Sequence, residues 1–120
     1  MDIYKEKILE HYKKPHNYGH LKNPDKSNKA INVSCGDEIE VDLIIKDQKV
    51  TEVGFESKGC IISTAMMSML TDYIKDKKVN QIMKINTKDL QKIIGIDVSP
   101  ARLKCLLIPL QSIQQAISKN

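Results

Sequence analysis

Three cysteines, Cys35, Cys60 and Cys105, carry the reactive chemistry of this sequence. An odd number of widely spaced cysteines argues against a disulfide frame. In a reducing compartment it argues for thiols or metal ligands. Each falls where an element is expected to end. Cys35 closes a strand just before Gly36-Asp37, Cys60 follows Gly59 and opens the longest helix, and Cys105 stands beside backbone that Pro109 interrupts. A structural cysteine packs as a small hydrophobe inside an element, and any one of the three taken alone fits that reading equally well. Three at element ends do not. Helix N-termini favour the thiolate, the nucleophilic and metal-binding form. Asp37 adds a hard oxygen two residues from a soft sulfur. Three thiolates and a carboxylate fill a tetrahedral shell for zinc or iron. The competing role for Asp37 is a turn aspartate bonded to its own backbone. Lys104 is either a solvated side chain or a cation stabilising a neighbouring thiolate or persulfide. His11, His16 and His20 lack metal-ligand spacing to the cysteines and to each other, and read as surface or capping residues. Met66, Met67 and Met69 read as core.

The elements that must position these groups follow from periodicity. Residues 1–14 are expected to be helical, from the spacing of Ile3, Tyr4, Ile8, Leu9 and Tyr12, and to stop at Pro15. Residues 15–28 are rich in Pro, Asn, Gly, His and Lys and read as an irregular, exposed segment. Ile31, Val33 and Cys35 alternate before a Gly36-Asp37 turn. Ile39, Val41, Leu43 and Ile45 alternate with Glu38, Glu40 and Asp42. Lys46–Lys49 turns the chain into Val50–Phe55. From Cys60 the period becomes helical, through Ile61, Ile62, Ala65, Met66, Met69, Leu70, Tyr73 and Ile74. Shorter helices are expected around Val79–Met83 and Thr87–Ile94. Leu106, Leu107, Leu110, Ile113 and Ile117 mark a last one. Pro109 predicts either a kink there or a regular helix that begins just after Cys105. The sum is a single α+β domain over residues 1–120: a three-stranded antiparallel sheet covered on one face by four to five helices.

Composition narrows the functional classes. Hydrophobic residues make up 41% and charged residues 28% of the 120, ordinary for a globular chain. The net charge of +4 comes from scattered lysines, with no run that suggests a tail. One Phe and no Trp leave few platforms for stacking bases, so nucleic acid is not an expected partner. No signal peptide and no membrane span are expected, and the chain reads as soluble and cytoplasmic.

The motifs also resemble a known family. Ile8-Leu9-Glu10-His11-Tyr12 and Pro15-His16-Asn17-Tyr18-Gly19 are similar to the opening helix and loop of the IscU/SufU/NifU N-terminal family of iron–sulfur cluster assembly scaffolds. Cys35-Gly36-Asp37 matches its Cys-Gly-Asp motif. Phe55 to Cys60 with Ile61-Ile62-Ser63 matches its Phe-x-x-x-Gly-Cys-x-Ile-Ser segment, and Arg102-Leu103-Lys104-Cys105 matches the region of its third cysteine. The resemblance implies a SufE/NifU-like fold and a scaffold or carrier rather than an enzyme. Such a protein takes sulfur as persulfide from a cysteine desulfurase, binds iron, builds a [2Fe–2S] cluster and passes it to apo iron–sulfur proteins. By the same resemblance Cys35, Cys60, Cys105 and Asp37 hold the cluster, Asp37 keeps it labile, Cys105 is the candidate persulfide acceptor, and zinc can occupy the cluster-free site. The expected association state is a monomer or weak homo-oligomer.

The sequence departs from each branch of that family. Lys104 stands where IscU-type members place a histidine ligand, and Val98-Ser99-Pro100-Ala101-Arg102 replaces the chaperone-recognised Leu-Pro-Pro-Val-Lys. The first feature looks more like SufU-type members, and the second removes the segment that chaperone-assisted release would use. The 45 positions from Cys60 to Cys105 leave no room for the SufU-type insertion. The alternative is therefore a zinc-dependent sulfur-transfer protein that takes persulfide from the desulfurase. A third reading, a purely structural zinc module, requires a closed and unreactive site.

Overall fold

Alternation of apolar and acidic residues from Asp37 to Lys46 builds the centre of the molecule. The odd-numbered residues Asp37, Ile39, Val41 and Leu43 are buried on one face of a strand, and Glu38 and Glu40 stand on the other. The structure, a computed structural model, describes residues 3–33 and 36–119. In chain order the elements are α1 (Ile3–Lys13), β1 (Lys26–Asn32), β2 (Asp37–Lys46), β3 (Lys49–Lys58), α2 (Ile61–Ile74), α3 (Val79–Ile82), α4 (Thr87–Ile94), a 3-10 turn at Pro100–Arg102, and α5 (Leu103–Ser118). The strands form one antiparallel sheet in the order β1-β2-β3. This is the expected α+β architecture.

The inner face of the sheet meets α2 and α5. Ile39, Leu43, Phe55, Met66, Met67, Leu70, Leu106 and Ile113 are fully buried between them. The methionine cluster is core, as its spacing predicts. The outer face carries charge. Glu40 pairs directly with Glu56 across β2 and β3, and with Lys29 across β1 and β2. Like charges directly opposite repel, and His20 sits over them, its Nε2 3.1 Å from Glu40 and 3.5 Å from Glu56.

One boundary differs from expectation, and one left open by the sequence is settled. Residues 15–28 are not wholly irregular, because β1 starts at Lys26 and ends at Asn32, before Val33. Its burial alternates, but only Ala30 is fully buried, so the strand lacks the apolar pattern that would reveal it. The last helix does not wait until after Cys105. It starts at Leu103 and runs through Pro109, with Cys105 in its first turn. Pro109 removes the donor that the Cys105 carbonyl would otherwise receive.

His16 and His20 are exposed, as expected, but His11 differs from a surface reading. His11 is buried, and its Nδ1 lies 2.7 Å from Ser68 Oγ of α2. The His16 backbone N–H donates to that same hydroxyl at 2.7 Å. The two rings lie 4.4 Å apart. Burial, followed by the neighbouring His16 charge, lowers the His11 pKa below its ordinary 6.5. His20 is shifted the other way, raised chiefly by its hydrogen bond to Asp42 at 2.9 Å. Burial works to raise the Asp42 carboxyl. Hydrogen bonds from Ser27, His20 and the Leu21 N–H outweigh it and hold the group below its ordinary value.

The outer edge of β3 is occupied. Gly19 N–H donates to the Phe55 carbonyl and Phe55 N–H to the Asn17 carbonyl. At the other end Val50 N–H donates to the Lys77 carbonyl and Asp76 N–H to the Val50 carbonyl. No helix among the described residues is long and apolar enough to cross a membrane.

Candidate metal centre

Three groups far apart in sequence converge at one end of the sheet. Asp37 is the first residue of β2, Cys60 precedes α2, and Cys105 lies in the first turn of α5. One carboxylate oxygen and the two sulfurs lie within 4.8 Å of one another.

The turn before Asp37 depends on Gly36. Its φ of +74° lies in the left-handed region, which glycine enters without the Cβ penalty. Its N–H donates to the Asn32 carbonyl at 2.8 Å. Asp37 is only 1% exposed. A buried carboxylate needs donors, and Oδ1 receives the Cys60 backbone N–H at 3.0 Å. This bond comes from a residue 23 positions away in the chain. Oδ2 faces Cys60 Sγ at 3.9 Å.

Gly59 makes that approach possible. A Cβ there would fall 2.4 Å from Asp37 Oδ1 and 2.8 Å from Ser63 Oγ. Cys60 then caps α2 from extended backbone, with φ −76° and ψ 171°. Its Sγ accepts the Ser63 N–H at 3.4 Å, and its carbonyl accepts the Thr64 N–H at 3.1 Å. A sulfur at an N-cap satisfies a donor that the helix leaves open, and it lies where the dipole favours negative charge.

Cys105 is 7% exposed. Burial first, then the adjacent Cys60 and Asp37, push its thiol well above the ordinary cysteine value. Both described cysteines are free thiols. Two sulfurs and a buried carboxylate are a donor set suited to zinc or iron. Burial first, and then the neighbouring Cys60 and Asp37, keep the proton on Cys105, and a cation among them would favour its loss.

Two further expected site residues remain, Cys35 and Lys104. Cys35 lies outside the described residues. Lys104 is exposed on α5 and lines an open groove with Ile31, Val33 and Leu107. It is not one of the three converging groups. Ser63 was not singled out as a site residue by type, because serine is a weak ligand. Its signal was positional: it stands three residues after a cysteine at a helix start, where an N-cap bond is made. A second group of possible ligands, His20, Glu40 and Glu56, lies on the outer sheet face. It escaped the sequence reading because its members come from a loop and two strands.

Known proteins share this arrangement of chain. The chain is 28% identical to the zinc-dependent sulfurtransferase SufU of Bacillus subtilis (strain 168), over 98% of this chain and 91% of that protein. It is 26% identical to the iron–sulfur cluster assembly scaffold protein IscU of Escherichia coli (strain K12), over 96% and 91% respectively. A crystal structure of a SUF-system protein from Fervidobacterium islandicum AW-1, described as a cluster assembly scaffold, superposes with a TM-score of 0.77 at 25% identity. That match covers 94% of this chain and 95% of the other. The model of the NifU-like N-terminal domain matches residues 3–120, and with that span and this fold the chain belongs to the NifU-like N-terminal domain family.

Proposed function

We propose that this protein is a scaffold on which an iron–sulfur cluster is built and from which it is handed on, with Cys35, Asp37, Cys60 and Cys105 holding the cluster. One observation carries the reading: a carboxylate and two thiols from three separate elements bring their ligand atoms within 4.8 Å of one another. Such a soft and hard mixture suits iron and sulfide. The kinship to proteins named as IscU and SufU supports it.

In this reading the cluster is cargo. A cysteine desulfurase delivers sulfur as a persulfide, and Cys105 is the acceptor. The Cys105 sulfur attacks the outer sulfur of the donor persulfide. The donor S–S bond breaks, a new S–S bond forms on Cys105, and the donor cysteine leaves as a thiol carrying the proton that Cys105 gives up. Cys60 supplies a second sulfur, pre-oriented by the α2 cap. Asp37 binds through a single hard oxygen, the weakest link to a soft cluster. An electron donor such as excess thiol reduces the persulfide sulfur by two electrons to sulfide and restores the Cys105 sulfur, and the finished [2Fe–2S] unit then passes to apo-proteins.

A second reading is zinc-dependent sulfur transfer. Lys104, standing where a fourth histidine ligand would otherwise be, favours it, as does the likeness to the SufU sulfurtransferase. The same residues would hold the ion, which when bound would supply the positive charge that keeps their sulfurs as thiolates.

Anaerobic reconstitution with iron, cysteine and a cysteine desulfurase tests both. The scaffold reading expects sulfide-to-iron charge-transfer bands, about two irons per chain, and transfer to an apo-ferredoxin. Tightly held zinc, no cluster, and a zinc-dependent rise in desulfurase turnover would replace it with the sulfur-transfer reading.

A further inference from the structure

Ser63 faces Cys60 with two of its atoms, the backbone N and Oγ. It is fully buried in the first turn of α2. Its backbone N–H donates to Cys60 Sγ at 3.4 Å. Its hydroxyl donates to the Cys60 carbonyl at 3.2 Å, while the same oxygen accepts from the Cys60 thiol at 3.6 Å.

As a thiol Cys60 has one proton to give, with Ser63 Oγ at 3.6 Å and Asp37 Oδ2 at 3.9 Å as its possible acceptors. A sulfur bound to a metal has none and can only accept. The S–H to oxygen contact would then set two acceptors against each other, unless the hydroxyl turned. A serine hydroxyl is a free rotor. The Cys60 carbonyl would keep a partner if it turned, because the Thr64 N–H already donates there at 3.1 Å. The space around it is filled, since a Cβ on Gly59 would lie 2.8 Å from Ser63 Oγ. Rotation about the Cβ–Oγ bond needs no further room.

We propose that Ser63 is a positioning residue of the metal centre, whose hydroxyl turns from the Cys60 carbonyl to the Cys60 sulfur when that sulfur binds a metal. The thiolate then receives two donors from one residue, the backbone N–H and the hydroxyl. Hydrogen bonds to a ligand sulfur withdraw charge from it and tune the metal it holds. The inference rests on the reading of Cys60 as a ligand.

Cobalt(II) tests it without requiring activity. Wild type and Ser63→Ala are loaded with cobalt(II), and the sulfur-to-cobalt charge-transfer bands are recorded. Alanine keeps the Cβ, the helix and the backbone cap, so the metal-free variant should melt as the wild type does. The expected result is equal cobalt stoichiometry with the charge-transfer band moved to lower energy in Ser63→Ala, because a sulfur lacking a donor gives up charge more easily. A band that stays in place overturns the inference. A band in place with a lowered melting temperature also overturns it, and makes Ser63 a structural helix-start residue only. If the wild type itself shows no thiolate-to-cobalt bands, the metal-centre reading falls, and this inference with it.

Discussion

A buried carboxylate that accepts a backbone N–H next to two sulfurs is a compromise between holding and releasing. On the proposed function, Asp37→Ala removes the hardest ligand and leaves the softer ones. The expected outcome is a longer-lived bound cluster and slower transfer, read from the decay of the visible bands with an apo-ferredoxin as acceptor. Unchanged transfer kinetics would take Asp37 out of the mechanism. The residue types at this site were legible in the sequence. A cysteine beside an aspartate, a cysteine after a glycine and a cysteine near a proline all pointed to ligands. What fixes Asp37 was not legible. Its partner is the backbone of Cys60, on the far side of two strands, and no local pattern announces a bond between a side chain and a distant N–H. The need for glycine at position 59 is equally non-local, because the clash it avoids is with Asp37 and Ser63.

Elements meet through polar contacts as well as through the core. Ser68 joins α1 and the loop after it to α2, taking His11 Nδ1 and the His16 N–H on one hydroxyl. Ser68→Ala strands both groups, and a buried polar group left without its partner costs about 1–3 kcal/mol. Urea denaturation should therefore show a loss of about 2 kcal/mol with an unchanged slope. A change below about 0.5 kcal/mol, the usual scale of neutral surface substitutions, would mean that α1 docks by apolar packing alone. Strong periodicity made β2, β3 and α2 readable, since Val41, Phe55 and Met66 repeat at the period of their element. β1 was misplaced because Lys26, Ser27, Asn28 and Lys29 carry no apolar rhythm; their pairing with β2 defines the strand. Pro109 left open where α5 becomes regular; Cys105 falls near the helix start as expected, and Leu106, Leu110 and Ile113 bury enough apolar surface to hold the helix through Pro109.

At the scale of the molecule, two histidines set opposing responses to pH. His11 is lowered below 6.5 by burial. The stability it contributes is present above pH 6.5 and lost as pH falls through its folded value. His20 is raised above 6.5 by Asp42. Its contribution is present below pH 6.5 and lost as pH rises through its folded value. Ring-proton NMR titration should resolve one histidine below 6.5 and one above it, and His20→Gln should abolish the upper one. His20→Gln should also flatten the loss of stability on the alkaline side while leaving the acid loss from His11 in place. Two unshifted titrations would contradict the packing of both rings. The occupied edge of β3 has a different consequence. Exposed strand edges are templates on which another chain can add itself. With Val50 and Phe55 already bonded to loop backbone, this edge gives a neighbouring molecule little to extend. Growth of the sheet from this side, one common route into fibres, is thereby hindered.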